Sequence, residues 1–160
     1  MDEVILRPFR STDLDWLVEQ HGVLYACDDG FDESFEALVR SILEEFLADH
    51  DTSCEQGWIA EVGGQRLGSI FCVRADAQTA KLRLFLLLPE ARGKGLGRRL
   101  LQQCTEFARM SGYSGMRLWT HESHVAACAL YARTGWRLES SEPVHSFGQD
   151  LVEQTWSCAF

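Results

Sequence analysis

The run Lys81-Leu82-Arg83-Leu84-Phe85-Leu86-Leu87-Leu88 constrains this chain more than any other stretch. Its second half is wholly apolar, which suits a strand buried on both faces. Pro89 ends the strand, and Arg92-Gly93-Lys94-Gly95-Leu96-Gly97 follows. Apolar positions then recur at helical spacing through Leu96, Leu100, Leu101, Cys104, Phe107 and Ala108, with a stop near Gly112. A buried strand that passes through a glycine turn straight into an amphipathic helix commits the chain to a layered α/β fold.

The flanking sequence fills in the layers. A short strand is predicted over 4–8, then a helix capped by Ser11 or Thr12 that carries Leu14, Leu17, Val18 and Leu24 and breaks at Asp28-Asp29-Gly30. Phe31, Phe35, Leu38, Val39, Ile42, Leu43, Phe46 and Leu47 form the stripe of a second helix. The period then changes to a hairpin, 58–62 and 66–73 about Gly63-Gly64. Beyond the glycine-turn helix come a strand over 116–120, a helix over 125–134 stopped by Gly135, and closing strands over 136 to about 140 and 151–158. The order βααβββαβαββ predicts a mixed, mostly antiparallel sheet of six to seven strands flanked by about four helices. With no repeat or linker, the reading is one domain over 1–160.

Charge and cysteine usage exclude several classes. The net charge is −9, from 24 acids against 15 bases, which argues against nucleic acid as a partner. Asp28, Asp29, Asp32, Glu33 and Glu36 cluster early and read as a solvated helix face. The six cysteines (Cys27, Cys54, Cys72, Cys104, Cys128, Cys158) form no CxxC pair, so packed thiols in a reducing compartment and no metal are expected. Met1-Asp2-Glu3 is acidic where a signal peptide would be basic. No apolar run approaches the roughly 20 residues that span a bilayer. A cytoplasmic protein without a membrane partner is the expectation.

The glycine turn carries the sharpest chemical signal. Alternate glycines let a ligand approach the backbone closely. The helix behind them presents unpaired N–H groups and the positive end of its dipole. Arg92, Lys94, Arg98 and Arg99 add positive charge to an otherwise acidic chain, so the ligand is an anion. The GxGxG spacing fits neither a dinucleotide fingerprint nor a P-loop.

Arg92-Gly93-Lys94-Gly95-Leu96-Gly97 resembles the R/Q-x-x-G-x-G/A motif of the Gcn5-related N-acetyltransferase (GNAT) superfamily, and Ala129-Leu130-Tyr131-Ala132-Arg133-Thr134-Gly135-Trp136 is similar to its LYxxxGF segment. More narrowly, His21-Gly22-Val23-Leu24-Tyr25, Lys81-Leu82-Arg83-Leu84 and His145-Ser146-Phe147-Gly148-Gln149-Asp150-Leu151-Val152 resemble the acetyltransferase half of proteins fused to a MarR-type winged helix. DNA binding is not expected, since the sequence opens on the first acetyltransferase strand.

The resemblance implies acetyl-CoA as co-substrate. Leu86, Leu87 and Leu88 would offer backbone groups to the pantetheine arm, and Arg92, Gly93, Lys94, Gly95, Leu96, Gly97 and Arg98 would hold the pyrophosphate. His124 stands where many relatives have a pantetheine-contacting asparagine. A neutral amine would attack the thioester, and Tyr131 matches the family tyrosine that protonates the departing thiolate; a phenol with a pKa near ~10 suits that role. The glutamate that many relatives carry on the central strand is missing, because Lys81 and Arg83 occupy it. Glu61, His121, Glu122, His145 or a water chain remain as the base, with His145 and His121 ranked first.

The acceptor stays open between classes. Lys81 and Arg83 share one strand face and suit a carboxylate-bearing, amino-acid-like amine, while the acids over 28–36 favour a polyamine-like one. Tyr25, Trp119, Phe147 and Trp156 serve equally as pocket walls or as core. A small-molecule amine is the leading expectation. The alternatives are a protein or peptide acceptor, or a non-catalytic module that senses acyl-CoA or an amine. Family analogy adds a homodimer.

Overall fold

Seven strands and four α-helices alternate along the chain in the order βααβββαβαββ, in a computed structural model that describes residues 3–160. They fall into two compact units.

The first unit takes in the chain up to Arg10, His50–Met116 and Phe160. Strands β1 (Val4–Pro8), β2 (Gln56–Val62), β3 (Gln65–Arg74) and β4 (Thr79–Leu87) lie side by side in that order, each antiparallel to the next. Gly63 and Gly64 both adopt positive φ, the geometry that a two-residue hairpin between Val62 and Gln65 demands. Helix α3 (Leu96–Met110) packs on β3. Leu100, Leu101, Cys104 and Ala108 are buried, and Phe107 meets Trp58 edge-on at 5.2 Å. Each of the two leucines contributes roughly 1.5–3 kcal/mol through burial.

The second unit comprises Ser11–Asp49 and Arg117–Ala159. Helices α1 (Leu14–Asp29) and α2 (Glu33–Asp49) pack together through Leu17, Val18 and His21 on one and Val39, Leu43 and Phe46 on the other. Most of β5 (Gly115–His121) belongs here, with α4 (Val125–Arg133), β6 (Arg137–Ser146) and β7 (Gln149–Ala159). The strand order is β5-β7-β6.

Two local expectations are corrected. A 3-10 turn over Ser11–Asp13 precedes α1, so its N-cap is Asp13, not Ser11 or Thr12. The closing hairpin is also longer than the sequence indicated. Strand β6 continues through Pro143 to Ser146, and its residues are almost all exposed. An edge strand needs no alternating apolar pattern, and it tolerates a proline because its outer N–H groups have no ladder partner. Neither property leaves a strand signature in sequence.

Candidate active site

Strand β4 is irregular where it matters. Leu84 stands at φ +50, and the pairing with β3 slips between Ser69 and Phe71. One extra residue on β4 is therefore a bulge. Fully buried Ser69 supports it by donating to the Leu84 carbonyl at 2.7 Å. Lys81 and Arg83 lie before the bulge, opposite Val73 and Phe71, on one face and half-buried. Leu86 and Leu88 bury their side chains; Leu88 N–H donates to Leu67 O (2.9 Å), and the Leu87 carbonyl accepts from Arg92 Nε (3.4 Å).

The turn that follows fits an extended anion such as a coenzyme A diphosphate. A 3-10 turn over Pro89–Ala91 leads into Gly93 at φ +78 and Gly95 at φ +77. A side chain added at either glycine would meet nothing of the protein within 4 Å, so the space above the turn is open. Gly95 caps α3 in the left-handed conformation, and no side chain caps the helix. The bond from Arg99 N–H to Gly95 O (3.2 Å) closes the first helical turn, ahead of which stand the N–H groups of Leu96, Gly97 and Arg98. Arg92, Lys94, Arg98 and Arg99 are all exposed around them.

In the second unit, Tyr131 lies on α4, buried, with ring centroids 5.7 Å from Trp136 and 6.0 Å from Trp156. His124 is the N-cap of α4, and protein atoms meet both of its ring nitrogens: Thr120 Oγ1 at Nδ1 (3.2 Å) and Asp29 Oδ2 at Nε2 (3.0 Å). Ser123 Oγ donates to the other Asp29 oxygen at 3.0 Å. The Asp29 side chain is only 8 % exposed, so this member of the early acidic run is not part of a solvated face.

The candidate bases occupy different surroundings. His121 is half-buried, edge-on to Phe31 at 5.6 Å and to His124 at 5.6 Å, and no hydrogen bond engages its ring among the described residues. Burial, reinforced by the neighbouring His124, lowers its pKa below the usual histidine value. His145 instead pairs with Asp150 (2.9 Å) across the hairpin, where the two side chains are 69 % and 96 % exposed, on an open groove of about 410 Å³. Glu61 is engaged by Arg7 Nε at 2.8 Å, and Glu122 is exposed. Of the acceptor-wall residues, Tyr25 and Phe147 are half-buried within one ring cluster, Trp119 is exposed, and Trp156 is buried with its Nε1 donating to Gln154.

A strand with a supported bulge, a glycine turn and a helix without a side-chain cap form an element suited to an extended anion. Residues 14–136 match the Acetyltransferase (GNAT) family, and the chain belongs to it. It is 32% identical over 106 residues to N-acetyltransferase family 8 member 3 of Rattus norvegicus; the match takes in 63% of this chain and 46% of that one, so the chain spans about half of its relative. Among solved structures, ribosomal-protein-alanine N-acetyltransferase from Brucella melitensis superposes with a TM-score of 0.78 at 19% identity, covering 98% of this chain and 99% of the other. A Salmonella typhimurium protein solved with acetyl-CoA gives 0.76 at 19% identity, covering 98% and 94%. At those identities the structures establish the shared fold. The family is one of acetyltransferases.

Sequence reasoning missed Ser69, Leu84, Asp29, Thr120 and Ser123. The bulge had no signal, because Leu84 sits inside an unbroken apolar run. Asp29 stood among other acids, where only a distant partner distinguishes it. Among the described residues, no helix is long and apolar enough to cross a membrane. No group of His, Cys, Asp and Glu among them has metal-binding geometry. None of the six cysteines is in a disulfide, and Cys27 is exposed rather than packed.

Proposed function

We propose that this chain, acting as one domain over 1–160, transfers the acetyl group of acetyl-CoA to the primary amine of a small molecule. The N-terminus of α3 behind the open glycine turn carries this reading, because it supplies anion-binding N–H groups that no side chain among the described residues caps. Arg92, Gly93, Lys94, Gly95, Leu96, Gly97 and Arg98 hold the diphosphate, and the backbone of Leu86, Leu87 and Leu88 holds the pantetheine arm. Acetyl-CoA supplies an activated acyl group.

Tyr131 donates the proton that the departing thiolate takes up. His121 is the base. It is neutral at pH 7, since its pKa lies below the ordinary value, and among the described residues no hydrogen bond competes for its lone pair. His145 is the weaker candidate, because its Nδ1 is engaged by Asp150 in open solvent. His124 orients rather than reacts, as its nitrogens are occupied by Thr120 and Asp29. The likeness of 21–25, 81–84 and 145–152 to regulator-fused acetyltransferases supports an acyl-CoA-sensing role should no amine be turned over. The same family analogy makes the protein a cytoplasmic homodimer.

Tyr131→Phe tests the assignment. Turnover should fall about a hundredfold or more, with acetyl-CoA affinity by calorimetry unchanged. Activity of the wild type should fall as pH drops through the lowered His121 pKa, and His121→Gln should remove that acid limb. Full turnover in Tyr131→Phe would overturn the proton-donor role.

A further inference from the structure

Three chain segments of the second unit are tied together around a set of packed rings. Asp32 N–H donates to Phe147 O (2.9 Å) and Gln149 Nε2 to Gly30 O (3.0 Å), which fastens the β6–β7 turn to the α1–α2 connection. Asp29, through Ser123 and His124, fastens the end of α1 to the β5–α4 turn. Buried Phe31 lies at the centre, with centroid distances of 5.6 Å to Tyr25, 5.1 Å to Phe35, 4.9 Å to Phe147 and 5.6 Å to His121. Tyr25, Phe35 and Phe147 are only half-buried, so ring surface stays open to a ligand.

Two features exceed what packing alone requires. Phe147 stands at φ +55, where a side chain strains the backbone by about 1–3 kcal/mol, so the turn holds a ring where a glycine would be more stable. His21 stacks on Tyr25 at 6.0 Å and meets Phe35 at 6.3 Å, with 1 % exposure. Its Nδ1 meets Leu17 O at 2.8 Å, and its buried Nε2 has no hydrogen-bond partner. The cluster therefore contains an acceptor that the chain itself leaves unfilled.

Charge then separates the amine classes. Two of the five acids that suggested a polyamine are engaged by the protein, Asp29 by Ser123 and His124 and Asp32 by the backbone and hydroxyl of Ser34 at the start of α2, while Asp28, Glu33 and Glu36 are exposed. Burial keeps His21 neutral, its pKa lowered to about 4, and likewise lowers that of His121. What the cluster itself offers is ring surface rather than carboxylate. That is a poor match for a polycation and a good one for a flat ring, which gains about 0.5–1.5 kcal/mol per aromatic pair beyond its burial.

Resting on the small-amine reading above, we propose that the acceptor is a primary amine bearing an aromatic ring, which packs on Tyr25, Phe35 and Phe147 beside His121. The test is steady-state kinetics of the full chain at saturating acetyl-CoA with phenethylamine, hexylamine and spermidine, alongside calorimetric binding of phenethylamine. The KM for phenethylamine should lie at least tenfold below the other two. Phe147→Gly, which suits the positive φ and so should fold, raises that KM about tenfold, and Tyr25→Leu does the same; both leave acetyl-CoA affinity unchanged. Equal or better use of hexylamine or spermidine, unchanged phenethylamine constants in both variants, or no phenethylamine binding overturns the inference. Ring-dependent binding of phenethylamine without any turnover would overturn its role as acceptor and sink the catalytic reading, leaving only a ring-binding cluster.

Discussion

The turn between β4 and α3 draws its chemistry from consecutive residues, Pro89 to Arg99, whereas the ring cluster draws on residues 21–35, 121–124 and 147. The turn is exposed, basic and built from backbone N–H groups and glycines. The cluster is half-buried, aromatic and held by hydrogen bonds between distant segments. One region suits the diphosphate proposed for the cofactor; the other suits the ring proposed for the acceptor. Local sequence can encode the first, because a phosphate asks only for a helix start and room above it. The second requires tertiary assembly, and substitutions there can change specificity without touching the turn.

If the two regions are separable in this way, variants should move one ligand and not the other. Gly95→Val should have the largest effect. It forces a β-branched residue to φ +77 and fills the space where the diphosphate lies, so acetyl-CoA affinity should fall on the order of a thousandfold, roughly 4 kcal/mol, by calorimetry. Phenethylamine affinity should not change. Loss of both would break the comparison.

Next in size is a pH effect confined to the cluster. His21 is neutral in the folded chain, with its pKa depressed to about 4. Stability is therefore full above the unfolded value near ~6.5 and is lost as pH falls through the folded pKa, by up to about 3 kcal/mol. Urea unfolding at pH 7 and pH 4 should show that loss in the wild type and a flatter dependence in His21→Leu. An identical pH dependence in the variant would remove His21 from the account.

The smallest effect concerns the clip at the end of α1. Asp29→Ala leaves Ser123 Oγ and His124 Nε2 without their partner and should cost about 1–2 kcal/mol. Amine KM should rise while acetyl-CoA affinity holds. A shift in acetyl-CoA affinity instead would mean that His124 serves the cofactor, as its position before Tyr131 first suggested.

What the sequence disclosed follows the same division. The period of apolar residues located the four helices and the buried strands, since each of these is a local pattern. Gly93, Gly95 and the following helix were readable as a glycine turn opening into a helix for the same reason. Strand β6 beyond Ser140 was not, because an exposed edge strand carries no alternation. Leu84 gave no hint of its bulge, and Asp29 none of its partner 95 residues away. Tyr25 and Phe147 were legible as aromatic residues but not as neighbours of one buried phenylalanine.

The central claim is that the chain moves acetyl from acetyl-CoA to a small amine recognised by the ring cluster. Mass spectrometry of the products, after incubation with acetyl-CoA and a pool of amino acids, aryl amines, polyamines and peptides, tests it most directly. The account predicts acetylation concentrated in the ring-bearing amines. No acetylated product, with acetyl-CoA binding intact, would contradict it and leave a sensor in place of an enzyme.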